Sequence, residues 1–113
     1  MKNVNNFITD LIDDMEDQKA SDLLLEGGQV PYYYCVGRVL TKTSHEAVSA
    51  AEIIEDLAAL GISVKDGMDQ NYIHTANGGD GPNWFIRIRA DIIDGNPSVS
   101  FRRIPGLTKG AKP

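Results

Sequence analysis

Two consecutive runs near the end of the chain constrain its fold more than any other feature. In Trp84-Phe85-Ile86-Arg87-Ile88-Arg89-Ala90-Asp91-Ile92-Ile93 the even positions are all apolar, while Arg87, Arg89 and Asp91 share the odd face. A period of two is the signature of a strand with one buried face. In Ser98-Val99-Ser100-Phe101-Arg102-Arg103-Ile104-Pro105, Val99 and Phe101 carry the apolar phase, and Ser100 and Arg102 the other. Asp94-Gly95-Asn96-Pro97 joins the two runs, so the pair reads as a hairpin. A two-residue turn at Asp94-Gly95 sets Arg102 opposite Arg87; a turn at Gly95-Asn96 sets it opposite Arg89. Either register gathers like charges on one exposed face, at a cost of tenths of a kcal/mol or about that. An anion or an acidic partner would use such a cluster. The plainer alternative is a solvated sheet face with Asp91 as the local counter-charge.

The placement is notable because the chain is acidic. Its formal charge is -5, yet four of its five arginines (Arg87, Arg89, Arg102 and Arg103) lie in this final stretch. That balance argues against general nucleic-acid binding. At 113 residues the chain is one small domain with a modest core. No apolar run approaches the roughly 20 residues that span a bilayer. Met1-Lys2-Asn3-Val4-Asn5 leads into an acidic amphipathic stretch, unlike a signal or transit peptide, so a cytoplasmic location is expected. Cys35 is the single cysteine. It excludes an internal disulfide and a cysteine-based metal site, and its apolar setting suits a core thiol rather than a nucleophile.

Earlier in the chain, Val4, Phe7, Ile8, Leu11, Ile12 and Met15 follow helical spacing, with acidic residues on the other side. The spacing predicts a first helix from about Asn3 to Lys19. Leu23-Leu24-Leu25 reads as a strand ended by Gly27-Gly28, and Val30 to Val36 as a second. Alternation puts Tyr33 on one side of it and Tyr32 and Tyr34 on the other. Gly37 permits a turn into Arg38-Val39-Leu40-Thr41. Ser49-Ala50-Ala51-Glu52 fits a capping box opening a second helix. Ile53, Ile54, Leu57 and Leu60 form its buried stripe, and Gly61 suits its end. Gln70 to Ala76 reads as a strand, followed by the loop Asn77 to Asn83. Hairpin-length links favour antiparallel pairing, so the fold class is α+β, one antiparallel sheet with helices packed on it.

Motifs for several chemistries are missing. There is no Gly-x-x-x-x-Gly-Lys-Ser/Thr segment for a nucleotide-hydrolysing P-loop. Gly78-Gly79-Asp80-Gly81 lacks the lysine and reads as a hairpin loop. His45 and His74 have no zinc-ligand spacing, and Asp66 and Asp69 around Gly67 do not fill a calcium loop. No metal site and no catalytic residue set is nominated, and the isolated chain is expected to be inactive as an enzyme.

In order, these segments resemble the N-terminal domain of the ATPases that drive type IV pilus retraction and type II and type IV secretion. Ala20-Ser21-Asp22-Leu23, a strand, Gly27-Gly28, Pro31, a second strand and Gly37 are similar to the start of that domain. Ile86-Arg87-Ile88-Arg89 resembles its arginine-bearing strand, and Phe101-Arg102-Arg103-Ile104-Pro105 its Phe-Arg-x-Ile-Pro run. Two positions depart from the pattern: Leu24 replaces a common histidine, and Tyr34-Cys35-Val36-Gly37 replaces Arg-Val-Asp-Gly. The resemblance implies a PAS-like domain over residues 1–105, with 106–113 opening a linker to a RecA-like domain that carries the Walker motifs. It implies a homo-hexameric ring, ATP and magnesium in the full-length parent but no cofactor in this domain alone. The RecA-like domain of the same or an adjacent subunit and the inner-membrane pilus or secretion platform would be its partners. It further implies that Arg89 and Arg102, with Arg87 next, reach ATP phosphates, and that Arg103 is accessory. A stand-alone adaptor or regulator, and a PAS-like sensor of a small ligand, are the other readings.

Overall fold

The computed structural model describes residues 6–35, 39–75, 81 and 83–104. It contains two helices, α1 (Phe7–Asp14) and α2 (Ala50–Ala59), and six strands. These are β1 (Ala20–Glu26), β2 (Tyr32–Cys35), β3 (Val39–Lys42), β4 (Met68–Thr75), β5 (Asn83–Ile93) and β6 (Asn96–Arg103). All pair antiparallel in one sheet, in the order β3-β2-β1-β6-β5-β4. The first and last strands in sequence, β1 and β6, meet at its centre. The α+β class expected from the sequence is the one observed.

The β5–β6 hairpin takes the first of its two registers. Asp94 and Gly95 have φ of 52° and 80°, the backbone of a type I′ turn that matches strand twist. Ile93 then faces Asn96, Ile88 faces Phe101, and Arg87 faces Arg102. The apolar phases of the two strands point the same way. Ile86, Ile88, Val99 and Phe101 are buried together with Leu23 and Leu25 of β1 and Tyr33 of β2. Both helices cover this side, contributing Ile8, Leu11 and Ile12 from α1 and Ile53 and Leu57 from α2.

Helix α2 begins as its capping box requires, with Ser49 and Glu52 bonded reciprocally. Leu60 caps its end, and Gly61 follows with a φ of 82°. Ile54 departs from expectation: it is 43% exposed, because a ten-residue helix lying on a sheet buries a stripe narrower than four apolar positions. Helix α1 is shorter than its periodicity suggested. Asn6 accepts from the backbone of Ile8 and Thr9 and fixes the start. No basic residue occupies its last turn, and Asp13, Asp14, Glu16 and Asp17 crowd an end already negative through the helix dipole. The chain leaves the helix there, and Lys19 reaches β1 with a φ of 55°.

Tyr33 donates from its hydroxyl to the Leu11 carbonyl in the last turn of α1, tying helix to sheet. Burial, and secondarily the Asp14 carboxylate, raise the pKa of this phenol. Strand β4 starts two residues before the expected Gln70. The expected helix start at Asn3, the Gly37 turn, most of the loop between Asn77 and Asn83, and the domain end at Pro105 lie outside the described residues.

Candidate functional site

The sheet face away from the helices carries the arginines, and strand pairing lays them out in two rows. One row runs Asn71, Arg87, Arg102, Asp22, Tyr34 and Leu40 from β4 to β3. The next runs Asp69, Arg89, Ser100, Leu24, Tyr32 and Lys42. Arg87, Arg89 and Arg102 are all exposed, so the three residues singled out from sequence come together on one uncovered face.

Their counter-charges differ from the expected one. Asp91 shares the face but forms none of the ion pairs found there. Asp69 instead accepts two bonds from Arg87, at 2.9 Å from Nε and 2.6 Å from Nη2. Asp22 accepts from Arg102 Nε at 3.1 Å. The hydrogen bond from Arg87, and next the charges of Arg87 and Arg89, hold the Asp69 carboxyl below its usual range. The same pair raises the pKa of Arg87 further.

The two carboxylates are held differently. Asp69 has a side chain 42% exposed, and Asp22 one only 10% exposed. The Ser21 hydroxyl also donates to Asp22 Oδ1 at 2.6 Å. Asp22 is therefore built into the sheet, whereas Asp69 reaches across its surface. In register Asp69 lies opposite Arg89, yet it bonds diagonally to Arg87. The Arg89 side chain makes no hydrogen bond or ion pair with a described residue.

Arg103 belongs to the opposite face, as its phase requires. Its guanidinium lies 4.1 Å above the Trp84 ring, so it packs as a cation on an aromatic surface and does not join the other three. The histidines are also used separately. His74 is buried and bonds Asp13 through Nε2 at 2.6 Å, while the His45 ring lies 5.1 Å from that of Phe7. Among the described residues no group of three or more His, Cys, Asp or Glu is placed to hold a metal ion. No described helix is long and apolar enough to cross a membrane.

Asp22, Arg87, Arg89, Ser100 and Arg102 line a small hollow of about 80 Å³. It has room for a small anion and not for a whole nucleotide. A wider hollow of about 810 Å³ adjoins it along the same face, bordered by Leu24, Tyr32 and Leu40 on one side and Asp69, Arg89 and Asp91 on the other. Arg89 borders both. Chemically, the small hollow offers guanidinium donors in the planar geometry that suits phosphate oxygens.

No protein-family model matches the chain, and no curated protein sequence does. Solved structures do match. The ATPase DotB of Legionella pneumophila is 21% identical, over 93% of this chain and 31% of its own, with a TM-score of 0.62. The ATPase DotB of Yersinia pseudotuberculosis is 20% identical over the same shares, with a TM-score of 0.70. The chain thus spans 31% of the length of each of these structures. The α+β fold built here around an arginine-bearing open sheet face is the fold of a domain-sized portion of the DotB ATPases.

Proposed function

We propose that this chain is the N-terminal domain of a hexameric motor ATPase of the pilus and secretion type. Its open face packs toward the RecA-like domain of the same or an adjacent subunit, and its arginines approach the phosphates of ATP held there. Nucleotide binding then moves the domain as a rigid body and couples the ATP cycle to the shape of the ring and to inner-membrane pilus or secretion proteins.

The observation that carries this reading is the state of Arg89. A solvated face would be expected to satisfy each guanidinium with the nearest carboxylate, and Asp69 stands directly opposite Arg89. That carboxylate goes to Arg87 instead, and Arg89 is left open at the edge of the hollow. An unpaired guanidinium beside two paired ones is suited to an anion supplied from outside.

The first test is the coding sequence downstream of Pro113. Continuation into Gly-x-x-x-x-Gly-Lys-Ser/Thr supports the motor reading, and a natural stop codon overturns it. With such a parent in hand, Arg89→Ala should slow ATP turnover at least tenfold, the scale on which a lost phosphate-clamping contact acts, and leave the domain folded. Unchanged turnover would remove Arg89 from the site.

A further inference from the structure

The three arginines of the hollow are not equally available, and the difference assigns a role to a fourth residue. Arg102 gives its Nε to a carboxylate that is nearly buried and braced by Ser21. Arg87 gives both Nε and Nη2 to Asp69, which is 42% exposed and is hydrogen-bonded to no other described side chain. The Nε–Nη2 edge of a guanidinium is the two-donor fork that grips a carboxylate or a phosphate, so one such anion excludes another. Around the hollow, three guanidiniums and two carboxylates leave one net positive charge, and neutralising Asp69 would leave two.

We propose that Asp69 is an internal competitor for this site, occupying the phosphate-gripping edge of Arg87 until a phosphate-bearing ligand displaces it. This rests on the anion-binding role given above to the open face. The ligand meets Arg89 first, since Arg89 is free and borders both hollows. It gains the Arg87 fork only when Asp69 swings away, which its exposure permits. Asp22 stays with Arg102 throughout, because releasing it would leave a carboxylate only 10% exposed without its charged partner. The undocked domain thereby binds free phosphate compounds weakly, and the full grip develops only against a ligand fixed in place by a docked partner.

Titration of the 113-residue chain with inorganic tripolyphosphate at low ionic strength tests this, using calorimetry and the Nε–H signals of the arginines. Asp69→Asn should tighten binding by up to about fivefold, the range over which a well-formed exposed ion pair competes. The gain should vanish when Arg87→Ala is added. Asp91→Asn removes a carboxylate from the same face without freeing an arginine, and should change affinity less than about twofold, by screened charge alone. Equal effects of Asp69→Asn and Asp91→Asn, with Arg89→Ala still weakening binding, would overturn the competitor role and leave the anion site standing. Binding indifferent to Arg89→Ala in both the parent and Asp69→Asn backgrounds would overturn the anion site, and the competitor with it.

Discussion

Removing Arg102 should destabilise the domain more than removing the charge of its partner Asp22, although Arg102 is the exposed member of the pair. The Arg102 side chain is 65% exposed and that of Asp22 10%. Arg102→Ala leaves a poorly solvated carboxylate without its charged donor, with the Ser21 hydroxyl as its remaining side-chain partner. A lost hydrogen bond to a charged, poorly solvated group costs about 2 kcal/mol. Asp22→Asn leaves Arg102 free to turn into solvent, and the amide keeps the Ser21 bond through its oxygen. One poorly solvated N–H₂ then costs about 1 kcal/mol. In the double variant no charge is stranded, so its cost should also be about 1 kcal/mol. The interaction energy is then about -2 kcal/mol, within the range expected for residues in contact. Urea unfolding of the 113-residue chain at neutral pH reads these values. With a slope of about 1.5 kcal/mol/M, the midpoint of Arg102→Ala should fall by about 1.3 M, and Asp22→Asn should restore about half of it. Additive single and double variants, or an Arg102→Ala midpoint equal to the parent's, would refute the reasoning. The outcome also bears on function. Lost turnover in a parent carrying Arg102→Ala would mix destabilisation with a lost contact, and the double variant separates the two.

Three further outcomes are expected. Tyr33→Phe leaves the Leu11 carbonyl without its side-chain donor and should cost about 1–2 kcal/mol, read from urea midpoints. Because the folded-state pKa of Tyr33 is raised, its contribution is intact below the ordinary tyrosine value of about 10 and lost as pH rises toward the folded value. Stability should therefore fall less steeply above that pH in Tyr33→Phe than in the parent. Ser49→Ala removes one half of the capping box and should cost about 1 kcal/mol in thermal or urea unfolding, with Ser49→Asp near neutral. Arg103→Ala should change the emission of Trp84, the only tryptophan, and cost about 0.5–1 kcal/mol, while tripolyphosphate binding stays as in the parent.

What was legible in the sequence was local. The Arg87-Arg102 register followed from two alternating runs and a turn of Asp94-Gly95, since a residue that accepts positive φ beside a glycine selects the two-residue hairpin. The Ser49–Glu52 box marked α2 for the same reason: its signal lies within four residues. Of the misread features one was local, and the other depended on a partner farther along the chain. Apolar spacing extended α1 through Lys19, but the acidic residues that share those turns oppose the helix dipole, a competing effect equally visible in the sequence. In the sequence Asp69 stands out only as part of an incomplete calcium loop. Its true partner depends on the β4–β5 register, which nothing in the glycine-rich connection before Asn83 specifies. Asp22 was the more readable of the two: a carboxylate beside Leu23-Leu24-Leu25 in a central strand is unfavourable without a partner, and a search for that partner leads to the strand paired with β1.

The two faces of the sheet divide what can vary from what cannot. On the covered face Ile86, Ile88, Leu23 and Phe101 are fully buried, and truncating Phe101 there would cost about 3–5 kcal/mol, enough to threaten so small a domain. On the open face the arginines contribute little to that core, and their mutual repulsion is offset by Asp22 and Asp69. Of the three, Arg102 is tied to stability through a nearly buried carboxylate, and Arg87 to an exposed one. Arg89 is bonded to neither, so its substitution should leave unfolding unchanged within about 0.5 kcal/mol. It is therefore the position at which a loss of anion binding or of ATP turnover carries the cleanest meaning. Equal unfolding midpoints with weakened tripolyphosphate binding would identify Arg89 as a residue held open for a ligand. A measurable loss of stability would show that some native contact already uses it, and the case for an externally supplied anion would fail at its central residue.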